Sequence, residues 1–127
     1  MQIPGLYIGP SRIEGRGVYC QYPITQDSVI EICPTLTFTA DSSTHLNKTN
    51  LYNYLFEWGE DGQSTILLLG YGSLYNHSYL PNAKYIADAE YLTFTIQALA
   101  DIPPNTEITF NYNGEPNDLS PLWFETS

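Results

Sequence analysis

The sequence predicts a mainly β single domain built of several short strands, and three observations carry that expectation. Nine Gly and nine Pro in 127 residues interrupt the chain too often for long helices. The segments between them are rich in Ile, Thr and Tyr, residue types that suit a pleated, half-buried surface. The stretch 91–99 alternates apolar and polar positions, with Leu92, Phe94 and Ile96 on one face. A chain of this length holds one core.

Charge and cysteine usage narrow the function. Fourteen acidic residues face Arg12, Arg16, Lys48 and Lys84, a net charge of −10 that argues against direct nucleic-acid binding and for a basic partner. Cys20 and Cys33 follow no CxxC pattern, so buried free thiols are expected and no metal site. No apolar run approaches the roughly 20 residues that span a bilayer. Met1-Gln2-Ile3-Pro4 lacks the basic start and apolar core of a signal peptide. The expectation is a soluble protein with no membrane partner, cytoplasmic, or in a host nucleus if it is an effector or viral protein.

In chain order, residues 2–8 read as a short apolar start, with Gly9-Pro10-Ser11 as a turn. Gly15-Arg16-Gly17 precedes the strand pattern Val18-Tyr19-Cys20; it is either a hairpin with a glycine bulge or a close approach of backbone to a ligand. It is not a dinucleotide fingerprint, since the third glycine and the helix are missing. Residues 29–34 and 36–39 read as an edge strand interrupted at Pro34. Residues 40–50 are polar, with Asp41-Ser42-Ser43-Thr44 suited to capping a short helix or turn. Residues 51–58 are dense in aromatics, and 65–69 form an apolar run suited to a buried strand. Residues 83–87 and 91–99 predict a hairpin joined near Asp88-Ala89-Glu90, and 101–106 a turn before the last strand.

Two segments stand out. Asn76-His77-Ser78-Tyr79-Leu80-Pro81-Asn82 sets amides, an imidazole and a hydroxyl beside a proline that bars a helix. Glu107-Ile108-Thr109-Phe110-Asn111-Tyr112 follows after the hairpin. Taken singly, the first is a turn whose asparagines satisfy backbone groups. In the order Gly-x-Gly, Asn-His-Ser-x-x-Pro-Asn, Glu-Ile-Thr-Phe-Asn-Tyr, the series resembles that of SET-domain protein lysine methyltransferases, over nearly the whole chain. It resembles most the minimal, free-standing SET domains of viral and bacterial origin.

The resemblance implies a β-clip SET domain of several short sheets, with a C-terminal pseudoknot and few short helices. It implies S-adenosylmethionine as cofactor, held largely through main chain by Gly15, Arg16 and Gly17, and by amide and backbone groups of Asn76 and His77. Trp123 is expected near the adenine. Tyr112 takes the place of the family's catalytic tyrosine, Tyr54 lines the lysine channel, and the backbone of Leu74 and Tyr75 borders it. Phe110 stands where the family carries Phe or Tyr; a Phe leaves room that a Tyr hydroxyl would fill, which favours di- or trimethylation. A basic protein such as a histone tail is the implied partner, and a homodimer is a further expectation.

The chemistry asks little beyond alignment. A lysine near pKa 10.4 is neutral about once in a thousand molecules at pH 7.4, a handicap of roughly 4 kcal/mol. A narrow aromatic channel and a neighbouring positive sulfur both lower that pKa, and orientation supplies the rest. Asn111 and Asn113 stand where the family often has Asp before the tyrosine and Gly-Asp after it. They keep open a second reading, a catalytically idle SET domain that binds peptide or cofactor. A third is a β-clip carbohydrate- or peptide-binding module without cofactor.

Overall fold

A computed structural model of the chain describes residues 1–39, 42, 45–46, 48–49, 54–58, 64–88, 90–112, 116–117 and 119. Among them are nine strands and one short 3-10 turn, Gly72–Leu74. The strands are β1 (Leu6–Pro10), β2 (Arg16–Cys20), β3 (Val29–Phe38), β4 (Leu55–Trp58), β5 (Ser64–Leu68), β6 (Asn76–His77), β7 (Ala83–Asp88), β8 (Thr93–Ala98) and β9 (Thr109–Phe110). They form a two-stranded sheet β1-β2, a five-stranded sheet in the order β4-β5-β3-β8-β7, and a two-stranded sheet β6-β9. The mainly β expectation of several short sheets is met. The C-terminal tail that would complete a pseudoknot lies mostly outside the described residues, as do Trp123 and most of 40–50.

The β7-β8 hairpin forms as the alternation predicts, with Ala83 opposite Ala98 and Asp88 opposite Thr93. Phe94 and Ile96 point into the core; Leu92 instead lies before β8, in the turn, half exposed and with φ +53°. Residues 65–68 fold as expected in strand β5, with Ile66 and Leu68 buried, while Leu69 already begins the turn.

Two sequence expectations are corrected. Residues 29–38 form one continuous strand, and it lies at the centre of the five-stranded sheet rather than at an edge. Pro34 is tolerated because β3 changes partner there. Residues 29–34 pair with β8, and Thr35–Phe38 pair with β5. The missing N–H falls at the handover, while the Pro34 carbonyl still accepts Leu69 N–H at 2.8 Å. The first turn also lies later than Gly9-Pro10-Ser11. Gly9 and Pro10 are inside β1, paired with Gly17 and Arg16. The reversal is closed by Ser11, whose N–H donates to the Gly15 carbonyl at 3.0 Å and whose Oγ accepts Ile13 N–H at 2.9 Å.

The core is one cluster that joins all three sheets. It includes Val18 and Cys20 from β2, Ile30 and Cys33 from β3, Ile66 and Leu68 from β5, Phe94 and Ile96 from β8, and Tyr75, Ile108 and Phe110. Both cysteines are free and buried, as expected. No helix among the described residues is long and apolar enough to cross a membrane.

Candidate functional site

The two motif segments meet as the parallel pair β6-β9, with Asn76 opposite Thr109 and His77 opposite Phe110. Asn82 locks the approach. Its Nδ2 donates to the Glu107 carbonyl at 2.8 Å, and its Oδ1 accepts Thr109 N–H at 2.9 Å. The asparagine thereby takes the place of a strand partner on both sides of Ile108.

Asn76 fastens a third segment to this pair. Its buried Nδ2 lies 2.7 Å from Glu107 Oε2, 3.0 Å from both Ser11 Oγ and the Arg16 carbonyl, and 3.1 Å from the Glu14 carbonyl. Ser11 Oγ in turn donates to Glu107 Oε1 at 2.6 Å. The Gly15-Arg16-Gly17 turn is thus held directly against β6. Gly15 sits in the turn with φ +44°. Gly17 is required for close approach: a Cβ there would stand 2.4 Å from Glu107 Oε2. Because Ser11 and Asn76 hold that carboxylate, it cannot swing away without losing both bonds. Gly17→Ala is therefore expected to destabilise the fold by about 1–3 kcal/mol, read as a lower midpoint in chemical denaturation.

Tyr112 lies where these segments converge. Its main-chain N–H donates to His77 Nδ1 at 3.0 Å, and its carbonyl accepts the Tyr85 hydroxyl at 3.2 Å. Its own hydroxyl donates to the Tyr75 carbonyl. Burial, with Glu107 and Tyr54 adding to it, pushes the Tyr112 phenol well above its ordinary value. The hydroxyl is therefore a donor at working pH and not a base.

The ring of Tyr112 belongs to an aromatic wall. Its centroid is 5.2 Å from Phe56, 5.3 Å from His77 and 5.5 Å from Phe110. Phe110 is fully buried between Tyr75 at 5.5 Å and Tyr85 at 5.2 Å. Tyr54 stands at the rim, 43% exposed, with its carbonyl accepting Ser73 Oγ at 3.2 Å. Leu74 packs against the core beside Tyr75. His77 is buried, which lowers its pKa. With Nδ1 accepting from Tyr112, the neutral ring carries its proton on Nε2, and Nε2 is a buried atom with no hydrogen-bond partner among the described residues.

These segments match one family. A SET-domain family model covers residues 15–113, from the first glycine of the turn to the residue after Tyr112. The chain belongs to the SET-domain family. It is similar to a Schizosaccharomyces pombe histone-lysine N-methyltransferase specific for H3 lysine-37, with 33% identity over 121 residues that cover 94% of this chain and 77% of the relative. It is also similar to the crystal structure of a Plasmodium falciparum protein described as a candidate histone methyltransferase. There the TM-score is 0.64 and the identity 33%, over 87% of this chain and 98% of that one. This SET domain is a protein-lysine methyltransferase.

Of the residues singled out in the sequence, the structure gathers Tyr75, His77, Phe110 and Tyr112 in one aromatic wall, with Tyr54 at its rim and Asn76 next in the chain to Tyr75 and His77. It brings Gly15, Arg16 and Gly17 to that wall through Asn76. Sequence reasoning gave no role to Ser11, Glu31 or the Glu107 side chain, while the reading that the loop's asparagines satisfy backbone groups holds for Asn82. For Glu31 there was a signal: a single carboxylate inside the apolar run 29–33.

Proposed function

We propose that this SET domain uses S-adenosylmethionine to methylate a lysine on a basic protein tail, with histone H3 as the substrate class and di- or trimethyl-lysine as product. The observation that carries the reading is the Tyr112 hydroxyl, fixed as a donor to the Tyr75 carbonyl inside a wall of Phe56, Phe110 and His77. An amine entering past Tyr54 loses water among aromatic rings, and that desolvation favours its neutral form; it then meets a hydroxyl and a carbonyl whose positions are already set.

The residues present fit the cofactor. Main chain of Gly15, Arg16 and Gly17 would hold it with Asn76 and His77. A Cβ at Gly15 would meet nothing within 4 Å, so that turn has room for a ligand. His77 Nε2 offers a buried donor that has no partner among the described residues. When bound, S-adenosylmethionine supplies a methyl group on a cationic sulfur. The protein's part is to strip water from the lysine, hold its lone pair on line through Tyr112 and the Tyr75 carbonyl, and receive no proton on either tyrosine. The Tyr75 phenol, like that of Tyr112, is raised by burial and by the Glu31 carboxylate beside it.

The net charge of −10 supports a cationic substrate, and so does the similarity to the Schizosaccharomyces pombe histone-lysine methyltransferase and the Plasmodium protein. The substrate test is mass spectrometry of H3-tail peptides, with other basic peptides alongside. Methyl addition to H3 lysines is expected; transfer only to unrelated peptides would redirect the substrate class. Product state is tested by Phe110→Tyr. A hydroxyl there adds volume and a polar atom to a fully buried position. It is expected to shift the product toward mono- and dimethyl-lysine, and undiminished trimethylation would count against the assignment of Phe110.

A further inference from the structure

Glu31 is 1% exposed, and its carboxylate sits in a pocket built only of donors. Gln2 Nε2 donates to Oε2 at 2.9 Å, Tyr71 N–H to Oε2 at 3.0 Å, and the Tyr75 hydroxyl to Oε1 at 2.8 Å. Burial, with this carboxylate adding to it, pushes the neighbouring Cys33 thiol up. The pocket is tight: a Cβ at Gly70, where φ is +64°, would stand 2.4 Å from Oε2. A buried charge with this many donors is costly to leave half-satisfied, so its partners have fixed positions.

One of those partners leads directly to the site. Tyr75 is fully buried and held at both ends, its hydroxyl by Glu31 and its carbonyl by the Tyr112 hydroxyl. The short 3-10 turn before it, the two-residue strand β6 after it and ring packing on Phe110 also hold it. Rotation of the Tyr75 peptide would carry its carbonyl, and with it the hydroxyl of Tyr112, away from the line of attack.

We infer that Glu31 is a positioning residue for methyl transfer, acting through Tyr75 on the Tyr112 hydroxyl. The inference rests on the reading of Tyr112 given above. Glu31 touches neither substrate nor cofactor. It sets the orientation of the Tyr75 carbonyl, and so belongs to alignment and not to binding.

The test compares Glu31→Gln, Tyr75→Phe and Tyr112→Phe in the full chain, by steady-state kinetics on an H3 peptide and by calorimetry with S-adenosylmethionine. Glu31→Gln and Tyr75→Phe are each expected to lower kcat about tenfold or more, the scale on which small misplacements act. Peptide KM and cofactor Kd should stay within about twofold of wild type, since both variants leave the Tyr75 main chain and the residues assigned to the cofactor in place. The double variant should lose no more than either single one, because both break the same link. Ile24→Val, a core truncation at the bridge to Ile102, serves as the control: it lowers Tm and leaves kcat unchanged. Should Glu31→Gln fail to fold, Tyr75→Phe decides alone, because it removes one hydroxyl and keeps the carbonyl. A Tyr75→Phe enzyme with wild-type kcat overturns the inference while Tyr112→Phe is dead. Full turnover by Tyr112→Phe overturns the underlying reading as well.

Discussion

Tyr112→Phe is expected to lower kcat for methyl transfer about a hundredfold or more while the protein stays folded. The variant isolates one atom. The other polar ties of Tyr112, to His77 Nδ1 and from the Tyr85 hydroxyl, run through its main chain and survive the change. Ring contacts with Phe56, His77 and Phe110 survive as well. What disappears is the hydroxyl and the bond to the Tyr75 carbonyl. A carbonyl left without that donor costs about 1–3 kcal/mol, a loss a folded domain of this size tolerates. Initial rates and thermal unfolding on the same preparation separate the two effects: a large fall in rate with a small fall in Tm is the expected pattern. Because the phenol is held protonated by burial, its loss should not remove an ionisation from the pH–rate profile at neutral pH.

The second large effect centres on His77. Its Nδ1 accepts the Tyr112 N–H at 3.0 Å, so the imidazole fixes the backbone that carries the hydroxyl. His77→Ala removes that acceptor and opens a hole in a buried position. We expect a loss of roughly 2–3 kcal/mol in stability and a fall in rate of about tenfold or more. His77→Asn should recover much of both, because an asparagine Oδ1 can accept from the same N–H. The same bond predicts a pH dependence. Protonation would turn Nδ1 into a donor facing a donor, and burial already lowers the His77 pKa below its ordinary value. The unfolded state therefore binds the proton more readily than the folded one. The stabilisation is fully present above about pH 6.5 and is lost as pH falls through the lower, folded value. Thermal unfolding at steps from pH 7.5 to 5 reads this, with the Tm of wild type falling more steeply than that of His77→Asn. Parallel curves would mean that His77 does not carry the acid sensitivity.

The site was legible where a motif lies within one segment, and hidden where it depends on distant pairing. Asn76, His77 and Tyr112 announced themselves by residue type and order, and the β7-β8 hairpin by its alternation. Glu31 did not. Strict alternation would put it on the face opposite Ile30, yet both are buried, because the ladder to β8 shifts register between Val29 and Glu31. A bulge of this kind leaves no mark in the sequence. Pro34 misled for a related reason: a proline argues for an edge strand unless the strand changes neighbours at that residue, which only the sheet order reveals. The clasp of Ser11, Asn76 and Glu107 joins three segments far apart in the chain. Gly-x-Gly alone could be read as a ligand loop or a packing site, and in the structure Gly17 packs against Glu107.

The most direct test of the enzyme reading is a calorimetric titration of S-adenosylmethionine into the wild-type protein, followed in the same sample by methyl transfer to an H3 peptide. Saturable binding followed by methyl-lysine formation is the predicted result. Absence of cofactor binding by a folded protein would contradict it, since the Gly15–Gly17 turn and the Asn76-His77 strand would then hold each other and nothing else.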